Sequence, residues 1–270
     1  MTGACDTHMH FYDDSFPVAP EAVLRPPDAS VADYQRVQAR LATDRVVVVQ
    51  PTTYGMDNRC QLTAMAAMGD AARGVMVVDS STPHDELQRL TALGVRGARF
   101  HMLPGGAVDW DELEPTATAV AELGWHIQLQ LDGNTLPDHL DRLLALPTDL
   151  VVDHVGRFMP PRGLDSPGFA ALRTLMATGR CWVKLSAPYE GSALPRPHDD
   201  VAELVDALVA EAPERLLWAS NWPHPGQADP PSLEDLATWR DRWIPPSLRH
   251  QILVENPATV YDFPPVETSS

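Results

Sequence analysis

A single (β/α)8 TIM barrel of the α/β class is the fold this sequence predicts, and three observations carry the prediction. Short apolar runs alternate with amphipathic stretches along the chain. Eight such runs fit into 270 residues, and nearly every one ends in a polar or charged side chain. A doubly wound open sheet is the competing arrangement, but it would normally stop at about five to seven strands.

The first segment holds Asp6-Thr7-His8-Met9-His10. In an extended strand alternate side chains share a face, which places Asp6, His8 and His10 together. Two imidazoles and a carboxylate on one face make half of a metal site or half of a proton-transfer site. A polar row on a wet strand face would look the same. Next comes a helix over 31–41 with Ser30 as its N-cap. Residues 45–50 (Arg-Val-Val-Val-Val-Gln) then read as a strand buried on both faces, as a parallel sheet requires. A strand over 74–79 and a helix over 85–93, closed by Gly94, repeat the rhythm. Strands over 95–101, 125–131, 150–154, 181–186 and 215–220 continue it. The helices that follow them cover 111–123, 136–146, 169–178, 201–212 and pieces as far as about residue 252. The 26 prolines fall mainly in segments after strands and suggest a rigid rim there. One domain over 1–263 and a frayed tail over 264–270 are expected.

Formal net charge is −17, which argues against nucleic acid or an anionic membrane surface as partner. No apolar run approaches the ~18 residues of a membrane span, and no secretory signal opens the chain. Three scattered cysteines fit a reducing cytoplasm without a disulfide framework. Oligomeric state leaves no trace in the sequence.

In a barrel the C-terminal strand ends line one cavity, so their contents test for a site. They supply Asp6, His8 and His10; the turn-rich Asp57-Asn58; Asp79; Arg99 and His101; Gln128, Gln130 and Asp132-Gly133-Asn134. They go on to Asp153-His154-Val155-Gly156-Arg157; Lys184, Ser186 and Tyr189-Glu190; and Ser220-Asn221-Trp222-Pro223-His224. His126 begins its strand, at the wrong end for the site, and reads as structural. Asp57 serves equally as a turn former, and Lys184 as the partner of a buried carboxylate.

Three motifs carry a resemblance to a known family: Asp6-x-His8-x-His10, Asp153-His154-x-Gly156-Arg157 and Leu217-Trp218-Ala219-Ser220-Asn221-Trp222-Pro223-His224. The chain resembles the amidohydrolase superfamily, specifically its amidohydrolase-2 barrels, from Cys5 to Phe263. Within them it is most similar to the pyrone-dicarboxylate lactonases and the galactarolactone isomerases. Asp57-Asn58, residues 103–108, Asp132-Gly133-Asn134 and the Tyr189-Glu190 region look particularly like the isomerase type. Metal-dependent superfamily members carry His or carboxylated Lys around strands four and five and Asp after strand eight. Here Gln128, Gln130 and Asn221 occupy those places, so a dinuclear centre is not expected. A mononuclear divalent metal at His8, His10 and His154 is the lesser alternative to no cofactor, which is what the lactone-processing branches imply.

The resemblance implies a metal-independent enzyme acting on a small anionic lactone, a carboxylated sugar-acid or dicarboxylate ring. Arg99 and Arg157 would clamp the carboxylate, since a guanidinium fork matches that geometry, and would reverse the field of an acidic protein. His8, His10 and His154 would polarise the lactone carbonyl. Asp57, Asn58, Gln130, Asn134, Ser186 and Tyr189 would complete the substrate contacts. Asn221 cannot take a proton, so a base for water attack must come from His224, His10 or His154. Hydrolysis of the ester ring then stands first. If no base replaces the carboxylate, an internal hydroxyl of the substrate attacks and the enzyme is an isomerase, the tethered nucleophile giving a large effective molarity. Metal-dependent decarboxylation, and a binding protein that lost catalysis at Asn221, are further readings.

Overall fold

The computed structural model describes residues 1–161 and 163–266. Eight parallel strands stand in sequence order: β1 Cys5–Met9, β2 Arg45–Val49, β3 Ala72–Met76, β4 Val95–His101, β5 His126–Gln130, β6 Leu150–Val152, β7 Cys181–Leu185 and β8 Leu216–Trp218. Longer helices follow them: α1 Val31–Leu41, α2 Arg59–Met68, α3 His84–Ala92, α4 Leu113–Ala121, α5 Leu136–Ala145, α6 Pro167–Ala177, α7 Asp199–Glu211, α8 Leu233–Trp243 and α9 Asn256–Tyr261. The arrangement is the expected α/β TIM barrel. Residues 267–270 of the tail lie outside the described residues. Nearer the core, the Pro264 carbonyl accepts from the Arg45 guanidinium. Among the described residues no helix is long and apolar enough to cross a membrane.

Two elements differ from the periodicity. Helix α2 follows Asp57-Asn58, where the polar turn signals hide a helix start. Its sequence, RCQLTAMAAM, has no sharp apolar stripe, although Ala and Met favour helix strongly. Strand β3 ends at Met76 rather than Asp79 because a side chain takes over the ladder. Asn58 Oδ1 accepts from the Val77 N–H at 3.0 Å, and its amide donates to the Val77 carbonyl at 2.8 Å.

The closing seam between β8 and β1 uses chain just beyond the strands. The Asn221 N–H donates to the His8 carbonyl at 2.9 Å, and the His10 N–H to the Trp222 carbonyl at 2.9 Å. Strand β1 is bulged. Asp6 pairs with Val46 and Met9 with Val48, so three residues on β1 advance against two on β2. Asp6 and His8 therefore do not share a face, contrary to the alternation read from the sequence. Asp6 accepts from the Tyr34 hydroxyl of α1 at 2.9 Å and from the Ser220 N–H at 2.8 Å. Val46 and Val48 pack outward in the helix-facing core, while Cys5, Val47, Val49, Val75, Val151, Trp182 and Leu217 fill the barrel interior. Tyr261 of α9 joins that inner layer, its ring set edge-on to His126 at 5.3 Å between centroids.

His126 is buried, and burial lowers its pKa to about 3, so it serves as neutral filling. It occupies space left by Gly97 on the neighbouring strand, where a Cβ would lie 2.5 Å from Nε2 and 2.7 Å from Cε1. A Gly97→Ala substitution should cost about 1–3 kcal/mol through overpacking, read as a lower urea midpoint at unchanged m-value. An unchanged midpoint would mean that the ring is not wedged against this strand.

Candidate active site

The bulge in β1 turns His8 into the barrel, where two charged groups and an amide, from β5, β7 and the end of β6, meet it. His8 Nδ1 lies 3.1 Å from Asp153 Oδ1, and the Gln128 amide donates to Asp153 Oδ2 at 3.1 Å. The Lys184 ammonium sits 3.4 Å from Asp153 Oδ1 and donates to Gln128 Oε1 at 2.6 Å. All four side chains are buried. Burial opposes ionisation of Asp153, yet His8 and Lys184 hold its carboxyl well below the usual carboxylate range. Lys184 thus has a buried carboxylate partner.

His10 lies one layer higher. Its Nδ1 is 2.8 Å from the Val49 carbonyl, and its Nε2 faces His8 Nε2 at 3.2 Å. Proton counting constrains this chain of contacts. The Val49 carbonyl and the Asp153 carboxylate only accept, so both Nδ1 atoms carry protons. Two neutral rings would then turn two lone pairs toward each other. Burial drives the pKa of both rings well down, so the neutral rings turn two unprotonated Nε2 atoms toward each other at the cavity floor. His154 packs beside His8, with ring centroids 4.8 Å apart, and its Nδ1 meets Ser186 Oγ at 2.9 Å.

These groups floor a cavity of about 250 Å³ whose wall includes His10, Tyr12, Arg99, His101, Gln130, His154, Arg157, Glu190 and Asn221. Arg99 is buried and donates to Gln130 Oε1 at 2.7 Å and to the Gln50 carbonyl, while its Nε has no partner. Arg157 Nε lies 3.3 Å from Glu190 Oε2. Asn221 donates its amide hydrogen to the Tyr189 hydroxyl at 2.8 Å, and that hydroxyl meets His224 Nδ1 at 3.1 Å. Burial pushes the phenol pKa up and the His224 imidazole down to about 3, so Tyr189 donates to a neutral ring. With its nitrogen tied, Asn221 presents a buried Oδ1 that has no hydrogen-bond partner. His154, Val155, Arg157, Ala187, Asn221 and His224 all adopt positive φ. Such strain on non-glycine residues collects where geometry serves function.

Several expected residues are engaged elsewhere. Asp57 forms an ion pair with Arg59, Asn58 is spent on the Val77 backbone, and Asn134 donates to the Met159 carbonyl at 2.8 Å. None of the three lines the cavity. Turn residues satisfy their own loop first, and the spacing could not tell that use from substrate contact. Ser186, Tyr189 and His224 stand behind the wall as partners of His154 and Asn221. Tyr12 and Glu190 line the cavity without having been singled out as site residues. Tyr12 continues the 8, 10, 12 alternation, a signal that was available.

The family model described as Amidohydrolase matches residues 5–263. A D-galactarolactone isomerase of Agrobacterium fabrum is 37% identical over 273 residues, covering 99% of this chain and 94% of that protein. A 2-pyrone-4,6-dicarboxylate hydrolase of Comamonas testosteroni is also 37% identical, over 275 residues, covering 96% and 90%. An apo crystal structure from Agrobacterium tumefaciens superposes with a TM-score of 0.92 at 38% identity, covering 98% of this chain and 97% of that one.

Burial lowers the Lys184 ammonium to about 8, against ~10.4 for an unperturbed lysine. Between those values the unfolded chain holds the proton and the folded chain does not. Lys184 therefore makes stability rise with pH across that window, by up to about 3 kcal/mol. In Lys184→Met this rise should vanish, and at pH 7 the loss should be about 3–5 kcal/mol because the buried Asp153 carboxylate loses its cation and keeps only the His8 and Gln128 contacts. Urea denaturation of both proteins from pH 7 to 10.5 measures the difference; parallel curves would refute it.

Proposed function

The chain belongs to the amidohydrolase family, and on that premise we propose that it is a lactone-processing enzyme whose reaction is ring transfer within a carboxylated hydroxy-lactone. The observation that carries this reading is Asn221, a neutral amide on the cavity wall where activation of water would call for a carboxylate. An amide oxygen accepts a hydrogen bond from a hydroxyl and orients it, but it does not deprotonate water. A substrate hydroxyl held there is a tethered nucleophile. The galactarolactone isomerase among its relatives supports the same reading.

Arg99 binds the carboxylate in this scheme, with a guanidinium that no carboxylate of the described residues meets at ion-pair distance. The proton that an imidazole takes from the attacking hydroxyl is passed to the departing alkoxide as the ring opens, so the rings begin and end neutral. His10 Nε2 or His154 Nε2 receives the proton of the attacking hydroxyl, and microscopic reversibility lets one pair serve both directions. Hydrolysis, placed first on sequence grounds, is the second reading. It is favoured by those same imidazole nitrogens, whose lowered pKa leaves them free to act as bases toward water.

The reaction is proposed to run without a metal, because the donor set fits one poorly. His8, Asp153 and His154 bring ligand-type atoms within 4.8 Å of one another. The Asp153 oxygens are already occupied by His8, Gln128 and Lys184, and the Lys184 ammonium lies 3.3 Å from His8 Nδ1. A divalent ion held by His8, His10 and His154 would have three neutral ligands and no anionic one, with the Lys184 and Arg99 cations as neighbours and Asn221 where an anionic ligand would help.

Two measurements test this. Incubating carboxylated lactones and following ring size by NMR, with an indicator for released acid, should show ring exchange without acid, and Asn221→Asp should shift the products toward acid. Stoichiometric acid from the wild type, unchanged in the variant, would remove the isomerase reading in favour of hydrolysis. Treatment with a chelator should leave turnover within about twofold of the untreated enzyme, whereas loss of a metal supplying Lewis-acid catalysis costs orders of magnitude.

A further inference from the structure

The charges around the cavity bear on how many carboxylates its ligand carries. Resting on the lactone reading, we propose that the substrate bears one free carboxylate, seated on Arg99, and that Glu190 is the specificity residue that turns a second carboxylate away. Among the described residues three cations, Arg99, Arg157 and Lys184, lie at or beneath the cavity. The Lys184 charge is balanced by Asp153 below the floor. The Arg157 charge is balanced within the wall by Glu190, whose carboxylate is 3.3 Å away, and both side chains remain 21% exposed to the cavity mouth. Arg99 differs. It is 4% exposed, its hydrogen bonds go to neutral oxygens, and its Nε is unpaired. Among the described residues, no carboxylate lies within ion-pair distance of it.

A buried guanidinium without an anion is costly, and a ligand carboxylate relieves that cost. One anion therefore completes the charge balance of the site. A second would have to pull Arg157 from Glu190 and then lie against the released Glu190 carboxylate. Like charges a few ångströms apart in a partly desolvated cavity differ from a neutral contact by about tenfold or more in affinity. The rest of the wall suits hydroxyls. His101 Nε2 and the Glu190 carboxylate accept hydrogen bonds, while Gln130, whose Oε1 is taken by Arg99 and His101, has only its amide N–H to donate, a mixed set that suits ring hydroxyls beside a single carboxylate.

The test compares wild type, Glu190→Gln and Glu190→Asp on galactaro-1,4-lactone (one carboxylate) and 2-pyrone-4,6-dicarboxylate (two). Calorimetric binding of the unreactive acids galactonate and galactarate accompanies it. Wild type should favour the one-carboxylate member of each pair by about tenfold or more, and Glu190→Gln should move that ratio about tenfold toward the two-carboxylate member. Glu190→Asp keeps the charge and should stay within about threefold of wild type. The proposal is overturned if wild type binds galactarate as tightly as galactonate, a result that needs no variant. It is equally overturned if Asp shifts the ratio as far as Gln does. Should neither lactone turn over while the binding ratio shifts as expected, the lactone reading fails and the single-carboxylate assignment stands.

Discussion

At the centre of the barrel the Asp153 carboxylate takes the Lys184 ammonium, the Gln128 amide and His8 Nδ1 at once, and the chemistry of the site descends from that contact. An isolated buried carboxylate or ammonium would cost several kcal/mol. Together they form a fully bonded network spanning β1, β5, β7 and the end of β6. Because Asp153 fixes the proton on His8 Nδ1, the Nε2 of His8 is committed to His10. The floor of the cavity is thus built from below, on Asp153, Gln128 and Lys184.

The seam between β8 and β1 sets where that floor faces. Backbone hydrogen bonds from Asn221 to His8 and from His10 to Trp222 tie the two motif-bearing segments together. The Thr7-His8 bulge then rotates His8 inward while Asp6 stays outward, anchoring Tyr34 and Ser220. Asp6 is in this way a structural carboxylate that holds the seam. Tyr189 performs a related task at the rim by fixing the Asn221 amide nitrogen, which leaves Oδ1 buried without a partner.

Charge distribution, more than shape, separates the possible reactions. Among the described residues Arg99 is the cavity guanidinium without a carboxylate at ion-pair distance, whereas Arg157 pairs with Glu190 and Lys184 with Asp153. That arrangement attracts a single carboxylate and leaves the amide of Asn221 to manage hydroxyls.

Much of this was legible in the sequence, because strand periodicity and polar strand ends are local properties. The eight-strand rhythm, α1 at 31–41, β4 at 95–101, and the gathering of His10, Arg99, Gln130, His154, Arg157 and Asn221 needed no tertiary information. Asp57, Asn58 and Asn134 were misplaced because a turn-forming side chain and a ligand-binding one share the same residue types. Only the folded chain could decide that Asp6 leaves the row of histidines, since a bulge depends on register with a second strand about 40 residues on. Likewise, Arg157 is neutralised and Arg99 is not because their neighbours come from distant segments, and an unpaired charge can be recognised only after every possible partner has been placed.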